Sequence, residues 1–194
     1  MTGEAELAIR LAPLPPLLSM PARLEAPEIS IDGGVLDRLE EEAESMRHCE
    51  VGGLLVGHAA VAGSRLRLEV TGALPAESSD AGPGHLTFTH ETWDLLRNRR
   101  IADHAGAMVV GWYHTHPGFG VFLSGLDRRL HARIFAVQPW CVALVLDPVN
   151  RHRGFFWPRG GEVRPCAETV RRRAGARAEN EGGANGISDA ENRQ

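Results

Sequence analysis

The sequence lacks the features typical of proteins stabilised by disulfides, of nucleic-acid-binding proteins and of membrane-spanning proteins. Its three cysteines form no CxxC pair, which argues against a disulfide framework and against a cysteine-ligated zinc site. The formal charge of −4 disfavours a protein built around a phosphate backbone. No hydrophobic run has transmembrane length, and the apolar residues 11–20 lack the basic start of a signal peptide. We therefore expect a cytoplasmic protein with no nucleic-acid partner and no membrane partner.

What is present is the composition of an ordinary globular chain. Of its 194 residues, 43% are hydrophobic and 24% are charged, which suits one domain with a real core. Residues 1–27 are rich in Pro, Ala and Leu and are interpreted as an N-terminal arm, and residues 28–165 as the domain. The polar, glycine-rich residues 166–194 are expected to form a disordered tail. The Ala- and Arg-rich composition favours a bacterial source.

Hydrophobic periodicity predicts an α/β fold with a sheet between layers of helices. Helical spacing indicates an amphipathic helix after Asp32 and another that starts at Ser124. The second helix is expected to bury Leu126, Leu130 and Ile134. Apolar or alternating runs predict strands over residues 50–57, 65–70, 86–89, 107–113, 140–146 and 154–157, with a further helix after residue 89.

A histidine pair follows the strand over residues 107–113. Residues two apart on a strand point to the same face about 6.5 to 7 Å from each other, so His114 and His116 can converge on one metal ion. Pro117 ends the strand, and the following loop lets the next helix offer Asp127 as a third ligand. Two imidazoles and a carboxylate leave one open position on a tetrahedral zinc ion, as in catalytic sites. We expect this centre at one edge of the sheet.

Two further residues complete a candidate active site. Glu50 opens an apolar strand, where desolvation would raise its pKa and suit it to take a proton from a zinc-activated water. Ser124 is placed to donate a hydrogen bond to an oxyanion. Simpler interpretations stay open: Glu50 as a surface residue at a strand end, and Ser124 with Asp127 as a helix capping box. His131, four residues past Asp127, is assigned a supporting or solvated role rather than ligation.

The combination of Glu50, residues 114–117 (His-Thr-His-Pro), Ser124 and Asp127 resembles the full motif of the JAMM (MPN+) zinc metalloproteases. The resemblance covers about residues 29–157 and extends to the deubiquitinases of the proteasome lid and the signalosome. It implies a cytidine-deaminase-like α/β/α fold with a central mixed β-sheet, and one Zn²⁺. It also implies hydrolysis of the isopeptide bond after the C-terminal glycine of ubiquitin or a ubiquitin-like protein, beside E1- or E2-like enzymes if these are encoded nearby.

The same resemblance implies a role for each motif residue: zinc ligation by His114, His116 and Asp127, acid/base catalysis by Glu50 and oxyanion stabilisation by Ser124. The segment after Asp127 carries no extra Cys/His cluster, so the insertion that gives some relatives their chain-linkage selectivity is not expected.

Three other functions compete with this interpretation. A sulfur-carrier-protein peptidase, releasing cysteine or trimming the carrier's tail, would use the same site. RadC-like proteins associated with DNA repair share His-x-His-Pro, but they usually carry Asn between the histidines and Ser-Gly after the proline, where this chain has Thr115 and Gly118-Phe119. A non-catalytic MPN scaffold would have lost metal ligands, and none of the motif positions is lost here.

Overall fold

A computed structural model describes residues 24–62, 64–76, 98, 104 and 106–172. The described chain forms one eight-stranded mixed sheet in the order β7-β6-β5-β4-β2-β3-β1-β8. The strands are β1 (Glu28–Asp32), β2 (Gly52–Ala62), β3 (Arg65–Pro75), β4 (Met108–Thr115), β5 (Val142–Asp147), β6 (His152–Arg159), β7 (Glu162–Cys166) and β8 (Glu168–Arg171). The helices are α1 (Gly33–Ser45) and α2 (Gly125–Leu130), the latter continued by a π-helical turn (His131–Phe135).

The sheet carries helices on both faces. Neighbouring residues of a strand point to opposite faces. In β4, the Tyr113 hydroxyl donates to Glu42 of α1, 2.6 Å away, whereas the Trp112 ring stacks on Phe135 of the π-helical turn with ring centroids 5.7 Å apart. Strands β4 and β5 run parallel and β2 lies antiparallel to β4, so the sheet is mixed. The predicted α/β fold with a central mixed sheet is confirmed.

Helix α1 begins where the sequence indicates. The Asp32 side chain accepts hydrogen bonds from the backbone N–H groups of Gly34 and Val35, at 3.0 and 3.3 Å, and so satisfies two N–H groups that have no partner within the helix. The apolar residues of its inner face are buried as far as Ala43. Met46, which helical spacing would place on the same face, follows the end of the helix and is 43% exposed.

The predicted buried face of α2 is wrong at Leu126 and only partly correct at Leu130 and Ile134, which pack against the core without being fully buried. Leu126 is 53% exposed. The buried residues are instead His131 and Phe135, in the π-helical turn that follows. A π-helical turn holds more residues than an α-helical turn. From this turn onward, a spacing of 3.6 residues per turn therefore no longer identifies the residues that face the sheet.

The predicted boundary at residue 166 also differs from the structure. Strand β7 runs up to Cys166, and β8 then pairs in parallel with β1. Val170 packs against the core from β8. Regular structure therefore continues past the predicted start of a disordered tail, because β1 offers a free backbone edge that a polar strand can use.

Several predictions lie outside the described residues. These are most of the N-terminal arm, the strand over residues 86–89, the helix after residue 89 and the tail beyond residue 172. Within the described part of the chain, no helix has both the length and the apolar composition needed to cross a membrane.

Candidate metal centre

The predicted metal ligands lie at the carboxyl end of β4. This strand lies between β2 and β5 near the middle of the sheet. The expected sheet edge is therefore the edge formed by the ends of inner strands, and not an outer strand. The backbone N–H of His116 donates to the carbonyl of Leu146 at 2.8 Å, which extends the pairing of β4 with β5 past the end of β4. The strand geometry thus reaches both histidines.

His114, His116 and Asp127 converge. The two Nε2 atoms are 3.1 Å apart; the Asp127 Oδ1 lies 3.4 Å from that of His114 and its Oδ2 lies 3.6 Å from that of His116. One ligand atom from each residue lies within 4.8 Å of the others. His114 is fully buried and His116 is 4% exposed. The structure therefore brings together the three residues that the sequence nominates as ligands.

The three side chains form a partly desolvated cluster whose titrating groups influence one another. Burial alone would raise the pKa of Asp127, but its contacts with the two histidines and with Ser124 outweigh burial and hold the pKa far below its usual range. Burial lowers the pKa of His114. Burial also acts to lower the pKa of His116, but the charges of Asp127 and Glu50 more than offset it and the pKa is raised. An ionised carboxylate thus faces two imidazole nitrogens.

This donor set fits a divalent transition metal. Imidazole nitrogen and carboxylate oxygen are common zinc ligands, and two histidines with one carboxylate leave a coordination position for water. Two neutral imidazole nitrogens 3.1 Å apart can satisfy each other only if one of them carries a proton. A cation between them would satisfy both lone pairs and the carboxylate together. The residues present therefore fit zinc.

Glu50 is buried beside this cluster, with 6% of its surface exposed. Its neighbour Val51 is tied to β4 twice: the Val51 N–H donates to Thr115 Oγ1 and the Thr115 N–H donates to the Val51 carbonyl, both at 2.9 Å. The charge of Glu50 contributes to the raised pKa of His116, so the carboxylate lies within electrostatic reach of the ligands. The alternative of a surface residue at a strand end does not fit this burial.

Ser124 and Asp127 form a reciprocal capping box at the start of α2. Ser124 Oγ accepts from the Asp127 N–H at 3.2 Å, and Asp127 Oδ2 accepts from the Ser124 N–H at 2.6 Å. The capping interpretation is therefore correct, but it does not exclude ligation by Asp127. It is compatible with ligation, because the cap fixes the carboxylate of Asp127 toward the histidines. Since Oγ acts as the acceptor in the cap, the Ser124 hydroxyl keeps its proton for another partner.

Two residues near the cluster were not assigned a role from the sequence: Trp112 contacts a candidate ligand, and Asp147 contacts the loop that follows the histidine pair. Trp112 stacks on His114, with ring centroids 4.6 Å apart, and its Nε1–H donates to His131 Nδ1 at 3.2 Å. Asp147, at the end of β5, accepts from the backbone N–H groups of Gly118 and Gly120, both at 2.9 Å. An aspartate before proline at a strand end was the available signal for Asp147. His131 is buried and bonds to Trp112, and it does not join the candidate ligand cluster.

We expect the free energy of unfolding to fall as the pH is lowered from about 6.5 to about 4. Burial lowers the pKa of His131 to about 4, whereas an unfolded histidine titrates near its ordinary value of about 6.5. The unfolded chain therefore binds a proton in this interval that the folded chain does not, and about 3 kcal/mol of stability is lost.

Urea denaturation of the wild type and of His131→Asn across this pH range measures the effect. Asparagine can still accept from Trp112 but does not titrate, and the difference between the two proteins removes the contributions of His114 and His116. An equal pH slope in both proteins would rule out His131 as its source.

The mouth of the centre has an apolar rim. Phe122 packs 4.9 Å from the His116 ring and is 44% exposed, and Phe119 is 67% exposed. Leu126, on α2 next to Asp127, adds to this exposed apolar surface. Such a rim can contact a substrate larger than the reacting group.

Comparisons with known proteins identify the family of this chain. A family model described as prokaryotic homologs of the JAB domain matches residues 33–159, a range that includes all five candidate site residues. The 26S proteasome non-ATPase regulatory subunit 14 of Drosophila melanogaster is 49% identical over 47 residues, which are 24% of this chain and 15% of that protein. The COP9 signalosome complex subunit 5 of Caenorhabditis elegans is 32% identical over 126 residues, 63% of this chain and 33% of that protein. The chain thus spans no more than about a third of either relative.

One solved structure supports the fold. The solution structure of a protein from Desulfitobacterium hafniense superposes with a TM-score of 0.58 at 20% sequence identity. The match covers 76% of this chain and 95% of that one. At this identity the likeness concerns the fold and not the activity.

Proposed function

Because the chain belongs to the family of prokaryotic homologs of the JAB domain, we propose that it is a zinc-dependent isopeptidase. Its substrate is the bond after the C-terminal glycine of ubiquitin or a ubiquitin-like protein, as the likeness to JAMM proteases implies. The observation that carries this proposal is the convergence of His114, His116 and Asp127, with one ligand atom from each inside 4.8 Å, beside the buried carboxylate of Glu50.

The proposal assigns each residue a role that is consistent with its position. His114, His116 and Asp127 would hold the ion, which supplies a more acidic water and polarises the scissile carbonyl. Glu50 accepts a proton from the attacking water and returns it to the leaving amine nitrogen. The Ser124 hydroxyl donates a hydrogen bond to the carbonyl oxygen as negative charge develops there.

The surroundings of the site suit a protein substrate with an extended tail. A slender C-terminal tail can enter a groove beside a sheet that a folded loop cannot enter. The exposed Phe119 and Phe122 offer apolar contact next to the metal ligands, where a small hydrophilic substrate would gain little from them. This supports a ubiquitin-like protein or its conjugates as the partner, together with E1- or E2-like enzymes if they are encoded nearby.

Incubation of the pure protein with two substrates tests the proposal. One is a ubiquitin-like protein fused through its terminal glycine to a second protein, and the other is a sulfur-carrier protein with cysteine attached to its tail. We expect zinc-dependent release of the fused protein, abolished by a chelator and restored by added zinc. Cleavage of the cysteine adduct alone would favour the sulfur-carrier peptidase, and cleavage of neither would contradict both.

Replacing Ser124 with alanine is expected to lower kcat by about 10²-fold with a small change in KM, because the oxyanion loses a donor. The cap of α2 is lost as well, which costs about 1 kcal/mol of stability. Steady-state kinetics and urea denaturation separate the two effects. Ser124→Thr, which keeps a hydroxyl that can cap and donate, is the matched control. If the alanine variant loses stability but keeps kcat, Ser124 is only a cap.

A further inference from the structure

We infer that Asp147 is a positioning residue for the metal centre: its carboxylate holds the loop over residues 118–120 so that the carbonyl of Gly120 fixes the imidazole of His116. The inference rests on the proposed function, since it assigns Asp147 a role at the proposed zinc site. It concerns a residue outside the motif that nominated the site.

The Asp147 carboxylate is buried and surrounded by donors. The residue is 1% exposed. Oδ1 accepts from the backbone N–H groups of Gly118, Val149 and Asn150, at 2.9, 3.0 and 3.1 Å. Oδ2 accepts from the Gly120 N–H at 2.9 Å and from Asn150 Nδ2 at 2.7 Å. Burial would raise the pKa of Asp147, but these hydrogen bonds dominate and lower it to about 2, so the carboxylate is charged at neutral pH.

The loop that Asp147 holds is also closed by a backbone hydrogen bond, from the Phe119 N–H to the His116 carbonyl at 3.1 Å. Gly118 and Gly120 adopt φ angles of 79° and 89°, in the left-handed region that favours glycine. Phe119 between them is 67% exposed, so its side chain anchors the loop weakly. Both glycine N–H groups point to the same carboxylate. The buried carboxylate thus fixes the two glycines on either side of Phe119, directly after the histidine pair.

This loop ends on a metal ligand. The Gly120 carbonyl lies 3.3 Å from His116 Nδ1, the ring nitrogen that does not face the other ligands. When Nδ1 carries the proton and donates it to this carbonyl, Nε2 is left with a lone pair, close to His114 and Asp127. Contacts of this kind orient ligating histidines, and their loss typically weakens metal binding 10- to 100-fold.

The imidazole of His114 is held in a different way from that of His116. Its Nδ1 is buried and has no hydrogen-bond partner among the described residues, and its ring is held by stacking on Trp112. Of the two imidazoles, only that of His116 is tied through a backbone carbonyl to the Asp147 loop. A defect at Asp147 should therefore appear at His116 and not at His114.

Asp147 also shapes the turn between β5 and β6 through Val149 and Asn150, and the test must separate that role. Asp147→Asn keeps the shape of the side chain, but in either amide orientation an NH₂ group faces loop or turn donors. Asn150→Ala removes one contact to Oδ2 and leaves both loop contacts in place, so it is the matched control. The double variant D147N/N150D restores a donor–acceptor pair between positions 147 and 150 but not the bond to Gly120. If D147N alone does not fold, the double variant provides the same test.

We expect D147N and the double variant to bind zinc about 10-fold more weakly than the wild type in a competition titration with a chromophoric chelator. Asn150→Ala should stay within about 2-fold. In cleavage assays at subsaturating zinc, kcat should fall while KM changes little. NMR of ¹⁵N-labelled histidine side chains should show His116 protonated at Nδ1 in the wild type, with that preference weakened in D147N.

Unchanged zinc affinity and an unchanged His116 tautomer in D147N would overturn the inference, even if its melting temperature fell, since Asp147 would then serve only the turn. The tautomer is also read in metal-free protein. A wild type that bound no zinc would therefore refute the proposed function, while the inference about Asp147 would still be decided by the NMR result.

Discussion

Replacing Glu50 with glutamine is expected to lower kcat by about 10³-fold or more while zinc stays bound. Glutamine has nearly the shape of glutamate but cannot accept a proton from water. Glu50 is 6% exposed and its charge reaches His116, so the carboxylate is close enough to serve the centre without belonging to the ligand cluster of His114, His116 and Asp127. The substitution therefore separates proton transfer from metal binding.

Initial rates on the ubiquitin-like fusion and zinc content by mass spectrometry measure the two properties. Glu42→Gln is a matched control. Glu42 is partly buried, with a pKa that burial raises, yet it lies on α1 and accepts a hydrogen bond from Tyr113 on the other face of the sheet. We expect the control to retain activity. Loss of zinc from Glu50→Gln would make Glu50 a ligand, and retained activity would exclude it as the acid/base.

Replacing His116 or Asp127 with alanine is expected to remove the metal. Each supplies one of three protein ligands, and a site left with two cannot compete with water and buffer for zinc. We expect bound zinc to fall from one ion per chain to less than about one tenth, with activity lost in parallel. Removal of Asp127 also breaks the cap of α2, so His116→Ala is the cleaner variant.

Zinc content after dialysis against a weak chelator measures this effect, with circular dichroism to confirm folding. His131→Asn is the control, because His131 is as buried as His116 but lies outside the cluster, and asparagine can still accept from Trp112. A full zinc ion retained by either alanine variant would refute that residue as a ligand.

Much of the candidate site could be predicted because its residues are close in the chain. The spacing of His114 and His116 on a strand, and of Ser124 and Asp127 in a capping box, is local geometry that holds wherever the elements pack. Glu50 is distant in the chain, and the pairing of β2 with β4 brings it to the site. The sequence predicted both strands but not their register, so the position of Glu50 in the site was predicted only from the family resemblance.

The features that the sequence did not predict depend on contacts between distant segments. Asp147 gains its place from hydrogen bonds to the loop at Gly118 and Gly120, which leave no periodic pattern in the sequence. The π-helical turn changes which residues face the sheet after Leu130, so Phe135 is more deeply buried than the expected Ile134. Strand β8 is polar and forms because β1 offers it a partner.

The most direct test of the metal centre is a crystal structure of the zinc-loaded protein with anomalous data collected on both sides of the zinc absorption edge. The account predicts one zinc peak within bonding distance of His114, His116 and Asp127, with a water on the ion that faces Glu50. A zinc ion held by other residues, or no peak among these side chains at saturating zinc, would contradict it.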